Sequence, residues 1–162
     1  IEYNINTYLN KLNIDNNPKI IAVSKTFKID KILPLIEYGH LDDGENKVQE
    51  AIEKWTDIKR VNSKIRLHMI GKLQTNKVKF AVKIFDYIHS VDSEKLAKKS
   101  ADEQNKINKK IKIVLQVNIG DENQKSGINK NNVGQLASYC REMDLDLIGL
   151  MCMPPSNIDP EN

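Results

Sequence analysis

Lys19-Ile20-Ile21-Ala22-Val23-Ser24-Lys25-Thr26 is the stretch on which the fold turns. Four apolar residues run without a break into a serine and a lysine, and Thr26-Phe27-Lys28-Ile29-Asp30 then opens a helical pattern. An unbroken apolar run of this kind reads as a strand covered on both faces, as in a parallel sheet. A lysine ending such a strand stands at the carboxyl ends of the strands, where parallel α/β folds carry their chemistry. Partial desolvation there lowers the pKa of an ammonium, and the neutral amine attacks carbonyls to form a Schiff base. The alternative for Lys25 is a strand-end side chain that reaches water along its aliphatic stem. The rest of the chain has to decide between them.

On the N-terminal side, Ile1, Ile5, Tyr8, Leu9 and Leu12 have helical spacing, which predicts a leading amphipathic helix over residues 1–14, ended by Asp15-Asn16-Asn17-Pro18. On the other side, Ile29, Ile32, Leu33 and Ile36 mark a helix with Asp30 in its first turn and Gly39 just past its end. A short segment from His40 leads to Gly44-Glu45-Asn46, and Val48, Ile52 and Trp55 resume the helical period. Arg66 to Gly71 is a strand candidate, followed by a helix from Leu73 through Val82. Phe85 to Val91 is the next strand, with Asp92 or Ser93 capping the helix after it. Lys112 to Ile119 is the clearest strand, and a polar loop from Gly120 to Gly127 precedes a helix carrying Val133, Leu136, Ala137 and Cys140. Leu145 to Met153 reads as the last strand, stopped by Pro154-Pro155.

Strand and helix thus alternate through six rounds, which predicts a parallel sheet with right-handed crossovers. No GxGxxG follows the first strand, so a dinucleotide-binding half of a doubly wound sheet is disfavoured. Polar groups recur after most strands rather than at one switch point, as at a barrel mouth. The predicted fold class is therefore α/β, a parallel (β/α)8 barrel of the TIM type with about six of its eight units in this chain. Residues 1–162 are read as one such domain, incomplete at its end.

Composition excludes several classes. Lys plus Arg total 25 and Asp plus Glu 22, a net charge of +3 that is too mild and too scattered for a nucleic-acid surface. Cys140 and Cys152 lack CxxC spacing and nearby histidines, so both read as reduced core thiols and a metal site is not expected. No apolar run approaches membrane length and no signal pattern opens the chain, so a cytoplasmic location without membrane contact is the expectation. Gly71-Lys72 fails as a P-loop, because Arg66 stands where its first glycine is needed and Leu73 where Ser or Thr is. The segment from Asp121 to Asn132 fails as a calcium loop, since Lys125 occupies a ligand position. His40, His68 and His89 never come in close-spaced pairs, so His68 and His89 read as packing or mouth residues. Asp42-Asp43 reads as a pair of solvated turn acids.

Four islands are far more specific together than singly. They are Ile21-Ala22-Val23-Ser24-Lys25-Thr26, Gly44-Glu45-Asn46-Lys47-Val48-Gln49-Glu50, the run from His68 to Lys77 (HMIGKLQTNK), and the run from Gln116 to Gly127 (QVNIGDENQKSG), with Gly149-Leu150-Met151 trailing. In this order and spacing the chain resembles, over essentially its whole length, the pyridoxal phosphate homeostasis protein family. Those single-domain proteins are similar to the barrel domain of alanine racemase. The resemblance implies that Lys25 holds pyridoxal 5′-phosphate (PLP) as an internal aldimine, with Asn46 beside the cofactor. It implies more weakly that His68, Ile70 and Met151 approach the cofactor pocket. Lys125, in the loop after the fifth strand, is read either as a solvated loop lysine or as a secondary contact for a phosphate or a transient aldimine. The implied role is intracellular PLP homeostasis and carriage without robust catalysis, with apo forms of PLP-dependent enzymes as partners and a monomer as the full-length state. An alanine-racemase-like enzyme and a non-catalytic barrel fragment acting as an interaction module are the alternatives.

The chain departs from the family pattern in three places. Asp43 stands where an aromatic residue usually precedes Gly-Glu-Asn, and Phe27 where a lysine is common. Family members also continue through two more strands that carry a Gly-Ser-Thr phosphate grip and an arginine facing the pyridine nitrogen. Nothing after Pro155 supplies these, and the expectation is a fragment of a protein of roughly 220 to 240 residues.

Overall fold

Short apolar-rich strands alternate with helices whose apolar residues recur at three-to-four spacing, so the chain folds as alternating strands and helices that share one core. The computed structural model describes residues 1–15, 18–119 and 126–153. Strands β1 (Ala22–Val23), β2 (Asp42–Glu45), β3 (Arg66–Met69), β4 (Tyr87–Val91) and β5 (Lys112–Asn118) pair in that spatial order, all parallel. Two further strands, β6 (Ile128–Asn129) and β7 (Asp146–Cys152), both pair parallel with β5. Helix α1 (Glu2–Leu12) precedes the sheet, and α2 (Ile29–Glu37), α3 (Val48–Val61), α4 (Val78–Ile84), α5 (Glu94–Lys106) and α6 (Val133–Glu142) make the crossovers. This is a (β/α)8-type barrel represented by six units, as the alternation predicted.

The core lies between sheet and helices. Leu67, Met69, Ile88, Ile113 and Leu115 face Trp55, Ala81, Phe85, Leu96 and Leu136, all buried. Burying side chains of this size stabilises by about 1.5 to 3 kcal/mol each. The parallel register sends alternate residues the other way: Asp42 pairs with Arg66, and Gly44 with His68, which pairs in turn with Tyr87. The inner face of the sheet is therefore polar. Ser93 caps α5, its hydroxyl accepting from the Leu96 N–H, and Gly39 closes α2 at φ 103.

Several expectations need correction. The apolar run at Lys19–Thr26 yields only two strand residues, and Val23 is 48% exposed rather than covered on both faces. Among the described residues β1 pairs with β2 alone, so nothing encloses its other side. Asp42 and Asp43 are not turn acids but buried residues of β2. Flanked by β1 and β3, their backbone is pulled into the ladder whatever their preference for turns. The helix expected from Leu73 begins later, with a single 3-10 turn at Thr75–Lys77 ahead of α4. Gln74 is extended there, and Leu73 fills the core from the connecting segment. Cys140 is buried as expected, but Cys152 is exposed, because β7 has only β5 as a partner among the described residues. Lys125 lies outside the described residues.

Candidate functional site

The turn that carries Lys25 is fixed from below. Ser24 is buried, donates its N–H to Gly44 O at 3.0 Å, and donates its hydroxyl to Glu45 Oε1 at 2.9 Å. The same carboxylate oxygen accepts from Lys54 Nζ at 2.7 Å and from Trp55 Nε1 at 2.9 Å. Lys54 Nζ also donates to Ser24 O at 2.9 Å, so helix α3 clamps the serine from two directions. The chain then reverses through Thr26 at φ 69, a left-handed conformation uncommon for a residue with a Cβ. Lys25 is left exposed at the carboxyl end of β1, not desolvated as the strand-end reading required.

Asn46 follows β2 and is held by bare backbone. A Cβ on Gly71 would lie 2.4 Å from Asn46 O, so only glycine allows these two strand ends to approach. The Oδ1 atom of Asn46 is buried and finds no hydrogen-bond partner among the described residues. A buried acceptor left unmatched is costly and marks a place where a donor from outside can be taken.

Lys25, Asn46, Ile70, His89, Gln116 and Met151 line one cavity of about 470 Å³ at the carboxyl ends of the strands. Gly71, Lys72 and Cys152 complete much of its wall. The structure thus brings together four of the six residues singled out from the sequence: Lys25, Asn46, Ile70 and Met151. His68 sits behind that wall, buried, and is not among the lining residues. It is stacked on Tyr87 with ring centroids 4.2 Å apart and lies 3.0 Å, Nδ1 to Nε2, from His89. His89, read from the sequence as a packing or mouth residue, lines the cavity, whereas Gln116 was missed, the signal available being its place in the strand from Lys112.

Electrostatics behind the cavity are set by Asp42. Burial raises its pKa, but hydrogen bonds from Arg66 and His68, and their charges, outweigh that and hold it at about 2. Burial pushes His68 below its ordinary value, against the pull of Asp42, and takes His89 down to about 4 with help from the His68 charge. Both imidazoles are neutral at pH 7. Asp43, fully buried with neither carboxylate oxygen paired among the described residues, is raised by burial to about 6.

A strand-end lysine and a polar lining at the open mouth of parallel β/α units define the ligand-binding class of barrel, with its site at the carboxyl face. Within that class, the chain belongs to the alanine racemase N-terminal domain family, whose profile matches residues 1–162. The pyridoxal phosphate homeostasis protein of Pasteurella multocida is 35% identical over 142 residues, covering 87% of this chain and 61% of that protein. The chain therefore spans about three-fifths of that relative's length. The structure of PipY from Synechococcus elongatus with PLP bound superposes with a TM-score of 0.74 at 31% identity, over 95% of this chain and 72% of the other. Alanine racemase from Clostridium difficile shares the fold, with a TM-score of 0.68 at 18% identity over 95% of this chain and 40% of that one.

Proposed function

We propose that the chain holds PLP in the 470 Å³ cavity through Lys25 and acts in PLP homeostasis, storing and handing on the cofactor without a catalytic cycle of its own. The observation that carries the reading is the convergence, at one strand-end cavity, of an exposed primary amine with a buried amide oxygen on Asn46 that is unmatched among the described residues. The PLP-bound PipY neighbour and the name of the Pasteurella relative support it. The residues present suit the group: an amine for its aldehyde, Ile70 and Met151 as apolar walls for its ring, and the Lys72 cation at the rim for its phosphate. When bound, PLP supplies an aldehyde that a primary amine takes up and gives back reversibly, with loss and return of water.

The chain's own residues do the rest. Glu45, through Ser24, fixes the direction in which Lys25 leaves the sheet. Exposure of Lys25 lets water and a competing amine reach it, which suits handover to apo-enzymes rather than sequestration. Asn46 accepts a hydrogen bond from a donor on the ligand, and Met151 and Ile70 limit water on the apolar side. Lys125, which follows β5 in the sequence, is proposed as a secondary contact for a phosphate or a transient aldimine.

Borohydride reduction of the PLP-loaded chain followed by peptide mapping tests this. The label is expected on Lys25, and Lys25→Ala is expected to lose the long-wavelength absorbance band. Label on another lysine at full occupancy rejects the reading. Turnover of D- or L-alanine by the loaded chain would move it to the racemase class.

A further inference from the structure

Three buried carboxylate oxygens on β2 have no partner among the described residues: Oδ1 and Oδ2 of Asp43, and Oε2 of Glu45. Both side chains are wholly buried and, being two residues apart on one strand, leave from the same face about 7 Å apart. That face is the helix-facing one, where Asp43 stands in register with the core residue Leu67 and Glu45 with Met69. Oε1 of Glu45 is crowded instead, accepting from Ser24, Lys54 and Trp55. Lys54, only 12% exposed, is the cation that reaches this face, and it donates to Glu45 and to Ser24 O.

Few charged groups bear on Asp43. Burial favours its neutral form most, and Glu45 and Asp42 on its own strand add to that. His40, just ahead of β2, and Lys54 of α3 pull the other way. Strand β1 brings the uncharged Ser24 to this side, β3 brings Leu67 and Met69, and α2 turns Ile32 into the core. Arg66 and His68 are bonded to Asp42 on the opposite face. The balance sets Asp43 at about 6, so its charge changes between mildly acid and mildly alkaline solution. A neutral Asp43 has one O–H to give, and Oε2 of Glu45 is an unmatched acceptor on its own face. An ionised Asp43 has nothing to donate, repels Glu45 and attracts Lys54.

We propose that Asp43 is a proton-operated latch on the turn that carries Lys25. Neutral, it leaves Lys54 on Glu45 and Ser24 O, and the turn stays pinned. Ionised, it draws Lys54 toward itself, and Ser24 loses the donor that holds its carbonyl. Relative to a chain that cannot make the switch, this one therefore holds an aldehyde at Lys25 more firmly in mildly acid than in mildly alkaline solution. The inference rests on the reading that Lys25 takes PLP. Asp43 is a positioning residue, acts through Lys54 and Ser24, and is not among the residues lining the cavity.

The ligand-free wild type tests the latch without any variant having to fold. The carboxyl carbon of Asp43 and the ammonium nitrogen of Lys54 are followed by nuclear magnetic resonance in the full chain from about pH 5 to about pH 8. They are expected to move together with one midpoint. A carboxyl carbon that does not titrate in that range, or a Lys54 signal that does not follow it, overturns the proposal. PLP affinity, read by absorbance, is then compared between wild type and Asp43→Asn, whose amide keeps a donor at every pH. Condensation of any amine with an aldehyde varies with pH, so the ratio of wild-type to variant affinity is the readout. It is expected near one at about pH 5 and about fivefold lower at about pH 7.5, within the usual worth of one hydrogen bond. A ratio that stays constant overturns the proposal. So does a Lys54 midpoint retained in Asp43→Asn, which assigns the titration to His40. Failure of borohydride to label Lys25 removes the PLP reading but leaves the joint titration of Asp43 and Lys54 standing, so the two failures are distinguishable.

Discussion

Asp43 is the residue whose chemistry sits least comfortably in its place. Fully buried and unpaired among the described residues, it is raised to about 6, against an ordinary value of 3.8. The unfolded chain ionises it above pH 4 while the folded chain does not, so stability is lost as pH climbs from 4 to 6 and the whole penalty is present above 6. Two units correspond to about 3 kcal/mol. His89 has the opposite sign. With its folded value down at about 4, the unfolded state takes up the proton first, and stability is lost as pH falls from 6.5 to 4. The two contributions nearly cancel across that window. Asp43→Leu should therefore raise stability at pH 7.5 by about 2 kcal/mol, with the advantage gone at pH 4; denaturant midpoints at the two pH values check this. An equal gain at both would mean that packing, not ionisation, sets the effect.

Among the elements, the ends of β1, β2 and β3 carry the site, and each is fixed by a different device. Glu45→Gln strips the charge partner from Lys54, which is only 12% exposed, and should cost about 3 kcal/mol in a thermal or denaturant melt. It should also lower the fraction of Lys25 trapped by borohydride, since the amide oxygen left to Ser24 is a weaker acceptor than the carboxylate. Gly71→Ala drives a methyl into the Asn46 backbone and should cost about 2 kcal/mol and weaken PLP binding several-fold. Helix α2, with Asp30 in its first turn and Gly39 beyond its end, was legible because its signals are local. Strand β1 was not, because its length depends on a neighbour along each edge and only β2 is there among the described residues. The two-residue β6 is too short to leave a period. Lys25 and Asn46 were found through motif spacing, whereas the pairing of His68 with His89 depends on the register of β3 against β4, which no one-dimensional pattern discloses.

For the molecule as a whole, the open flanks matter most. Val23 on β1 is 48% exposed and Leu150 on β7 is 61% exposed, each on a strand with a single partner among the described residues. Unpaired, apolar edges of this kind associate. The 162-residue chain is therefore expected to show concentration-dependent sedimentation, and Leu150→Lys to shift it toward the monomer without altering far-ultraviolet circular dichroism. Sedimentation unchanged by that substitution would show that the β7 edge takes no part.

Trp55 is the chain's sole tryptophan, and its indole shares one carboxylate oxygen with the serine beside Lys25. The molecule accordingly has a fluorophore wired to the turn that carries Lys25. Its emission will report loosening of that turn as a red shift, and under mild denaturant this signal should move ahead of the loss of helical ellipticity.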